Sequence, residues 1–177
     1  MQQTTEFSRR SFIGTSLAAC GMSALASPVF AGQNLRVKMK NAHTDEKFDY
    51  YIVENGQWVR EALSQFDWFA RDWRETETYP IATKTLHALI ELQKRLDVQE
   101  PFILLSGYRT PRTNKSLRGA AKNSLHMRGQ ALDIRHEHRS TRQIHRALVS
   151  LKAGGVGYYP DSGFVHMDCG RVRYWQG

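Results

Sequence analysis

The chain has 177 residues, of which 41% are hydrophobic, and its formal net charge at neutral pH is +8. This length favours a single domain that can bury an ordinary hydrophobic core. A basic chain suits an anionic partner, but no segment combines clustered basic and aromatic residues as nucleic-acid modules do. Nucleic acid is therefore not an expected partner.

The first 31 residues have the order of an export signal. Ser8-Arg9-Arg10-Ser11-Phe12-Ile13 is a twin-arginine sequence, an apolar run follows as far as Leu25, and Val29-Phe30-Ala31 ends in a small residue suited to cleavage. The run is too short and too interrupted for a membrane-spanning helix, which needs about 20 apolar residues. We predict a twin-arginine signal peptide over residues 1–31, export to the periplasm, and a folded domain over residues 32–177.

A second way of processing the same segment stays open. Leu17-Ala18-Ala19-Cys20 is similar to a lipoprotein box, which would leave Cys20 acylated and the protein lipid-anchored. Cleavage after Ala31 is preferred, because the apolar run before Cys20 is very short. That cleavage leaves Cys169 as the one cysteine, so no intramolecular disulfide is expected. It also removes two arginines and one glutamate, which lowers the net charge to +7.

The first half of the domain is predicted to be a hairpin followed by two helices. Apolar residues alternate with polar ones over Leu35–Met39 and over Phe48–Ile52, with turn-forming residues between the two segments, which predicts a β-hairpin. Apolar residues at helical spacing then predict one helix over Gln57–Glu75 and a second that begins at Pro80.

The second half is predicted to alternate short strands with one helix. Ser140 is the expected N-cap of that helix. The expected strands lie at Pro101–Leu105, Ala131–Ile134, Val156–Tyr159 and Phe164–Asp168, with a possible edge strand at Arg171–Trp175. Together these elements predict an α+β fold with a small antiparallel β-sheet and helices packed mainly on one side.

Two fragments carry side chains that suit a metal. One brings His126 and Asp133, and the other brings His166 and Asp168. Two imidazoles, one carboxylate and an open fourth position are what a catalytic zinc ion needs. Residues two apart on a strand share a face, so Asp168 would lie beside His166 and either fix its tautomer or accept a proton from water. Spacing alone leaves the site ambiguous, because an H-x6-D pair is common by chance.

The motifs resemble the D-Ala-D-Ala metallopeptidase family. That family shares its zinc-site architecture with lysostaphin-type endopeptidases and with the hedgehog signalling domain. The resemblance covers roughly Leu35 to Trp175 and rests on Ser124-x-His126-x-x-Gly129-x-Ala131-x-Asp133, Val165-His166-x-Asp168, Ser106-Gly107-Tyr108-Arg109, Asn114 and Ala153–Pro160.

This resemblance implies one Zn²⁺ ion held by His126, Asp133 and His166, with water as the fourth ligand. The ion would lower the pKa of that water toward ~7. Arg109 is similar to the family's substrate-facing arginine, which would stabilise an oxyanion or hold a carboxylate; a structural ion pair is the alternative. The implied function is a zinc-dependent murein endopeptidase. It would act on peptidoglycan stem peptides as a monomer, with no spanning segment in the mature chain.

The general base is the open question at the predicted site. Two branches of the family place a glutamate three residues before the last histidine ligand, where this chain has Gly163. Asp161 lies two residues earlier in a turn, so Asp168 is the candidate base. A support role for Asp168, or a water activated by zinc alone, are the alternatives. Two other functions also remain: a carboxypeptidase that trims terminal D-amino acids, and a non-catalytic cell-wall-binding module.

Overall fold

The computed structural model describes residues 30–177. Most of the predicted signal peptide, with its twin-arginine sequence and Cys20, lies outside the described residues. Within residues 30–177, no helix has the length and apolar character needed to cross a membrane.

Strands and helices alternate along the described chain. In order, the elements are β1 (Leu35–Asn41), β2 (Lys47–Glu54), β3 (Gln57–Trp58), α1 (Arg60–Phe69), α2 (Thr83–Leu96), β4 (Phe102–Ser106), α3 (Pro111–Ser116), a 3₁₀ turn (Leu125–Arg128), β5 (Ala131–Arg135), α4 (Thr141–Leu151), β6 (Gly155–Tyr159), β7 (Phe164–Asp168) and β8 (Arg173–Gln176).

Over residues 30–177, eight strands form one mixed sheet in the order β3-β2-β1-β4-β5-β7-β6-β8. The prediction of a small antiparallel sheet was therefore wrong in size and in strand direction. β4 pairs parallel to β1, and the chain between them forms β2, β3, α1 and α2. The predicted edge strand pairs parallel to β6, which extends the sheet by one further strand. The remaining neighbours are antiparallel.

The two faces of β7 carry different kinds of side chain, apolar on one face and polar on the other. Val165 and Met167 are fully buried, and α4 contacts β6 and β7. His166 and Asp168 alternate with these two residues and so point to the opposite face. The helix on one side of β7 thereby leaves the other face free for polar side chains.

The helices differ from the sequence prediction mainly at their ends. The first predicted helix extended to Glu75, but α1 ends at Phe69. Trp73 lies beyond it and stacks on His43, with ring centroids 4.6 Å apart. The predicted N-cap of α4 is confirmed, since Ser140 forms a capping box with Gln143.

Candidate metal centre

Specific contacts fix both ends of the 3₁₀ turn that carries His126. The Ser124 side chain accepts a hydrogen bond from the backbone N–H of His126, at 3.4 Å. Gly129 ends the turn with φ of +61°, and a Cβ at this position would lie 2.1 Å from the carbonyl oxygen of Pro80. Only glycine fits this left-handed and crowded position. The turn places His126 inside the protein, with 1% of its surface exposed.

A backbone carbonyl fixes the tautomer of His126. Its Nδ1 lies 2.7 Å from the carbonyl oxygen of Gly107. A carbonyl only accepts, so Nδ1–H is the donor and Nε2 presents a lone pair. Gly107 is itself closely packed, because a Cβ there would lie 2.2 Å from the carbonyl oxygen of Ala70. The burial of His126 lowers the pKa of its imidazole, which favours the neutral form.

The sheet brings the other two predicted ligands face to face. Asp133 on β5 and His166 on β7 are direct partners in the antiparallel ladder. His166 Nδ1 lies 2.8 Å from Asp133 Oδ1, and His126 Nε2 lies 3.2 Å from each of these atoms. The three predicted metal ligands therefore converge on one point, and they form a group suited to a metal ion.

The hydrogen bond of the other ring nitrogen of His166, Nε2, shows how this side chain is oriented toward the converging atoms. His166 Nε2 lies 3.0 Å from Asp168 Oδ2, so Nε2–H donates to this carboxylate, and the neutral ring presents a lone pair at Nδ1. Burial alone would lower the pKa of His166, but its hydrogen bonds to the Asp133 and Asp168 carboxylates raise it. When the ring is neutral, three acceptor atoms face each other, and a cation between them would remove their mutual repulsion. Ligand bonds of 2.0–2.1 Å in tetrahedral geometry set donor atoms about 3.3 Å apart, close to the spacing found here. The donor set fits zinc.

Asp168 is held by more than His166. Arg173 donates to both carboxylate oxygens, at 2.6 and 3.0 Å, and the backbone N–H groups of Gly155 and Gly170 donate to Oδ1 at 3.0 and 2.9 Å. Burial alone would raise the pKa of Asp168, but these hydrogen bonds hold it well below its usual range. The Asp168 carboxylate thus accepts hydrogen bonds from five donors.

The Arg109 side chain binds the predicted metal ligand Asp133 and also lines the cleft. Its guanidinium donates to Asp133 Oδ2 and, through Nε, to the Ser106 hydroxyl at 2.7 Å. Asp133 therefore turns Oδ1 to the metal position and Oδ2 to Arg109. Burial alone would raise the pKa of the Asp133 carboxyl, but the neighbouring His126 and His166 rings hold it well below its usual range.

The three converging atoms lie on the wall of a cleft of about 650 Å³. Three guanidinium groups and three aromatic rings line this cleft: Arg109, Arg118, Arg173, Tyr159, Phe164 and Trp175. Among the described residues, Asp133 is the one carboxylate in the lining. Asp161, in the turn before β7, is exposed and is not part of it.

Sequence reasoning missed Arg173 and Trp175 as site residues. Both were expected only as part of an edge strand. β8 pairs parallel to β6 with Trp175 opposite Gly157, so the indole lies over a residue that has no side chain and reaches to 5.2 Å from the His166 ring. Trp175 Nε1 then donates to the Tyr159 hydroxyl at 2.9 Å. The clue in the sequence was the glycine opposite the tryptophan, but it carries meaning only once the pairing is known.

A family model described as peptidoglycan L,D-endopeptidase MepK (Peptidase_M15_2) matches residues 29–175. The chain belongs to this family. It is 35% identical to the peptidoglycan L,D-endopeptidase MepK of Escherichia coli strain K12, over 94% of this chain and 96% of the relative. It is 29% identical to the probable peptidoglycan L,D-endopeptidase MepK of Haemophilus influenzae, over 96% of both chains.

The search of solved structures gave no significant match. The comparisons confirm the family resemblance predicted from the motifs.

Proposed function

We propose that the protein is a zinc-dependent peptidoglycan endopeptidase that hydrolyses peptide cross-links of the cell wall. One observation carries this proposal: two imidazole nitrogens and a carboxylate oxygen converge within 2.8–3.2 Å beside an open cleft. The relatives named as L,D-endopeptidases support a peptide bond between an L- and a D-centre as the target.

His126, Asp133 and His166 would hold the ion. When bound, zinc supplies an activated water and polarises the peptide carbonyl. The chain itself contributes positioning: the Gly107 carbonyl fixes His126, and Asp168 fixes His166. Both contacts aim the second ring nitrogen of each imidazole at one point.

We propose that Asp168 orients His166 and is not the general base. The carboxylate accepts from five donors, including both terminal nitrogens of Arg173. Gly163 stands where other branches of the wider family have a glutamate. Among residues 30–177, Asp133 is the one carboxylate that lines the cleft. The protein would therefore orient the metal ligands and stabilise charge without a separate carboxylate base.

Arg109 would have two roles, one toward the metal ligand Asp133 and one toward the substrate. Its contact with Asp133 Oδ2 orients that ligand. Arg109 also lines the cleft, where a guanidinium N–H can donate to the carbonyl oxygen as negative charge develops on it. This would join the predicted substrate-facing role to the alternative role of a structural ion pair.

A carboxypeptidase is the second candidate, and one observation favours it. Arg118 is exposed at the cleft and provides a further cation there, which would suit a free terminal carboxylate. The intact donor set argues against a non-catalytic wall-binding module, since such a module has no use for three converging metal ligands.

Localisation, oligomeric state and fold relationship are proposals from the sequence. We propose a periplasmic monomer exported by the twin-arginine route. We further propose that the zinc site belongs to the architecture shared by lysostaphin-type, D-Ala-D-Ala and hedgehog domains, because its ligands occur in the order His, Asp, His along the motifs that carry that resemblance.

The test is digestion of purified peptidoglycan by the exported protein, with and without a chelator, followed by mass analysis of the fragments. An endopeptidase releases separated stem peptides from cross-linked dimers, and chelator abolishes the release. Loss of single terminal residues would instead identify a carboxypeptidase. Zinc-loaded protein that releases nothing would overturn the enzymatic proposal.

A further inference from the structure

The Tyr159 side chain lies on the cleft face of the sheet. Tyr159 on β6 pairs with Phe164 on β7, and Gly157 pairs with His166 in the same ladder. Because residues two apart on a strand share a face, Tyr159 points to the same side as His166. The rings of Tyr159, Phe164 and Trp175 line the cleft together. Tyr159 is therefore placed where a bound substrate would lie.

Contacts on several sides hold the Tyr159 ring in one position. Phe164 stacks on it, with ring centroids 4.5 Å apart and ring planes 10° from parallel. Gly157 leaves room at its edge, because a Cβ there would lie 2.8 Å from Tyr159 Cε2 and 2.6 Å from the Trp175 ring. The centroid of the Trp175 ring lies 5.2 Å from that of His166. The Tyr159 hydroxyl is thus fixed one aromatic ring away from a candidate metal ligand.

The hydrogen bond between Trp175 and Tyr159 restricts the direction of the phenolic proton. Trp175 Nε1 lies 2.9 Å from the Tyr159 hydroxyl oxygen. An indole N–H only donates, so the phenolic oxygen accepts and its own proton points elsewhere. Among residues 30–177, no side chain or carbonyl accepts a hydrogen bond from this hydroxyl. The Tyr159 O–H is therefore free to donate to a molecule bound in the cleft.

We infer that Tyr159 binds the substrate by donating its phenolic O–H to a main-chain carbonyl oxygen next to the peptide bond that is cleaved. A peptide in the cleft presents carbonyl oxygens, which only accept. The guanidinium groups of Arg109 and Arg173 already bind carboxylates of the protein, whereas the Tyr159 hydroxyl has its proton to offer. A fixed neutral donor aligns the peptide without adding charge to the cleft. This role rests on the proposed endopeptidase function and adds a substrate-contacting residue to it.

Tyr159→Phe removes the hydroxyl and keeps the ring, so it tests this contact directly. Tyr158→Phe is the matched control, because Tyr158 is the adjacent residue of β6 and packs on His145 of α4, with ring centroids 4.8 Å apart. With cross-linked stem-peptide dimers as substrate, we expect kcat/KM to fall about 10-fold for Tyr159→Phe and to stay at the wild-type level for Tyr158→Phe. Zinc content should match the wild type in both variants, since neither tyrosine is a candidate ligand.

A second pair of variants distinguishes contact with substrate from simple support of Trp175. Trp175→Phe removes the indole N–H, so a hydroxyl that served only to hold Trp175 would have no further effect in this background. We expect the double variant Trp175→Phe/Tyr159→Phe to have a kcat/KM several-fold below that of Trp175→Phe alone. Equal values for these two proteins would overturn the inference.

Two outcomes separate this role of Tyr159 from the proposed function itself. Wild-type kcat/KM in Tyr159→Phe, beside an active wild type, would overturn the role of Tyr159 alone, and so would a loss of activity that matches an equal loss of zinc. Zinc-loaded wild-type protein that cleaves no dimer would overturn the proposed function, and the role of Tyr159 with it.

Discussion

Asp168 is the residue whose contacts most restrict the chemistry. Its carboxylate supports His166 and is itself held by Arg173 and two backbone N–H groups. Asp168→Asn keeps the shape but weakens acceptance from His166 and Arg173. We expect zinc affinity and cleavage to fall together, each by about 10–100-fold. Zinc titration and a peptide-release assay measure both.

Asp161→Asn is the matched control for this prediction. Asp161 is exposed in the turn before β7, so its variant should behave as the wild type. If Asp168→Asn bound zinc with wild-type affinity but lost all cleavage, Asp168 would be the base and not the support.

Arg109 is expected to act partly through Asp133. Arg109→Ala removes the partner of Asp133 Oδ2, so zinc affinity should fall by about 10-fold or more and kcat/KM by more than the zinc affinity. Arg112→Ala removes a guanidinium that is 85% exposed and should change neither quantity. Wild-type zinc affinity in Arg109→Ala would restrict Arg109 to contact with substrate.

At the level of single residues, the sequence indicated the three candidate ligands but not all of the residues that hold them in place. His126, Asp133 and His166 were predicted as ligands from the family resemblance, because spacing alone left the site ambiguous. Strand periodicity placed Asp168 beside His166. The partner of Asp168 could not be found in this way. Arg173 reaches Asp168 only because β8 lies beside β6, and strand pairing between distant segments leaves no local pattern in the sequence.

Among the elements, the 3₁₀ turn has the most demanding backbone. Gly129→Ala would place a Cβ 2.1 Å from the Pro80 carbonyl oxygen in a left-handed conformation, whereas Gly163→Ala shares the positive φ but meets no atom within 4 Å. The conformational cost common to both is about 1 kcal/mol. We expect Gly129→Ala to reduce the free energy of unfolding by clearly more than Gly163→Ala, and to reduce zinc binding through His126.

Denaturant unfolding of the two glycine variants measures this difference. Equal loss of stability would mean that the Pro80 segment gives way easily and does not fix the turn.

The elements themselves were largely predictable because their apolar periodicity is strong. The hairpin, α2, α4 and the strands that carry the ligands were all expected. The end of α1 was not, since Trp73 continues the helical apolar spacing but packs on His43 beyond the helix. The size and mixed direction of the sheet were missed because they depend on which distant strands pair.

For the whole molecule, we expect the fold to be stable without the metal ion. The core is a large apolar cluster that includes Phe66, Leu89, Phe102 and Ile144, and it contains none of the three candidate metal ligands. We expect the chelated protein to keep its far-UV circular dichroism. Saturating zinc should raise Tm, because a ligand present at 100 times its Kd stabilises the native state by about 2.7 kcal/mol. Loss of secondary structure on chelation would contradict this separation.

The central claim is that His126, Asp133 and His166 form one zinc site that performs the cleavage. Zinc content and peptide release should be measured together on the wild type, His166→Ala and His138→Ala, the last of these a change at an exposed histidine away from the cleft. We expect one zinc per chain and full cleavage for the wild type and His138→Ala, and loss of both for His166→Ala. A His166→Ala protein that retains stoichiometric zinc, or that still cleaves peptidoglycan at the wild-type rate, would contradict it.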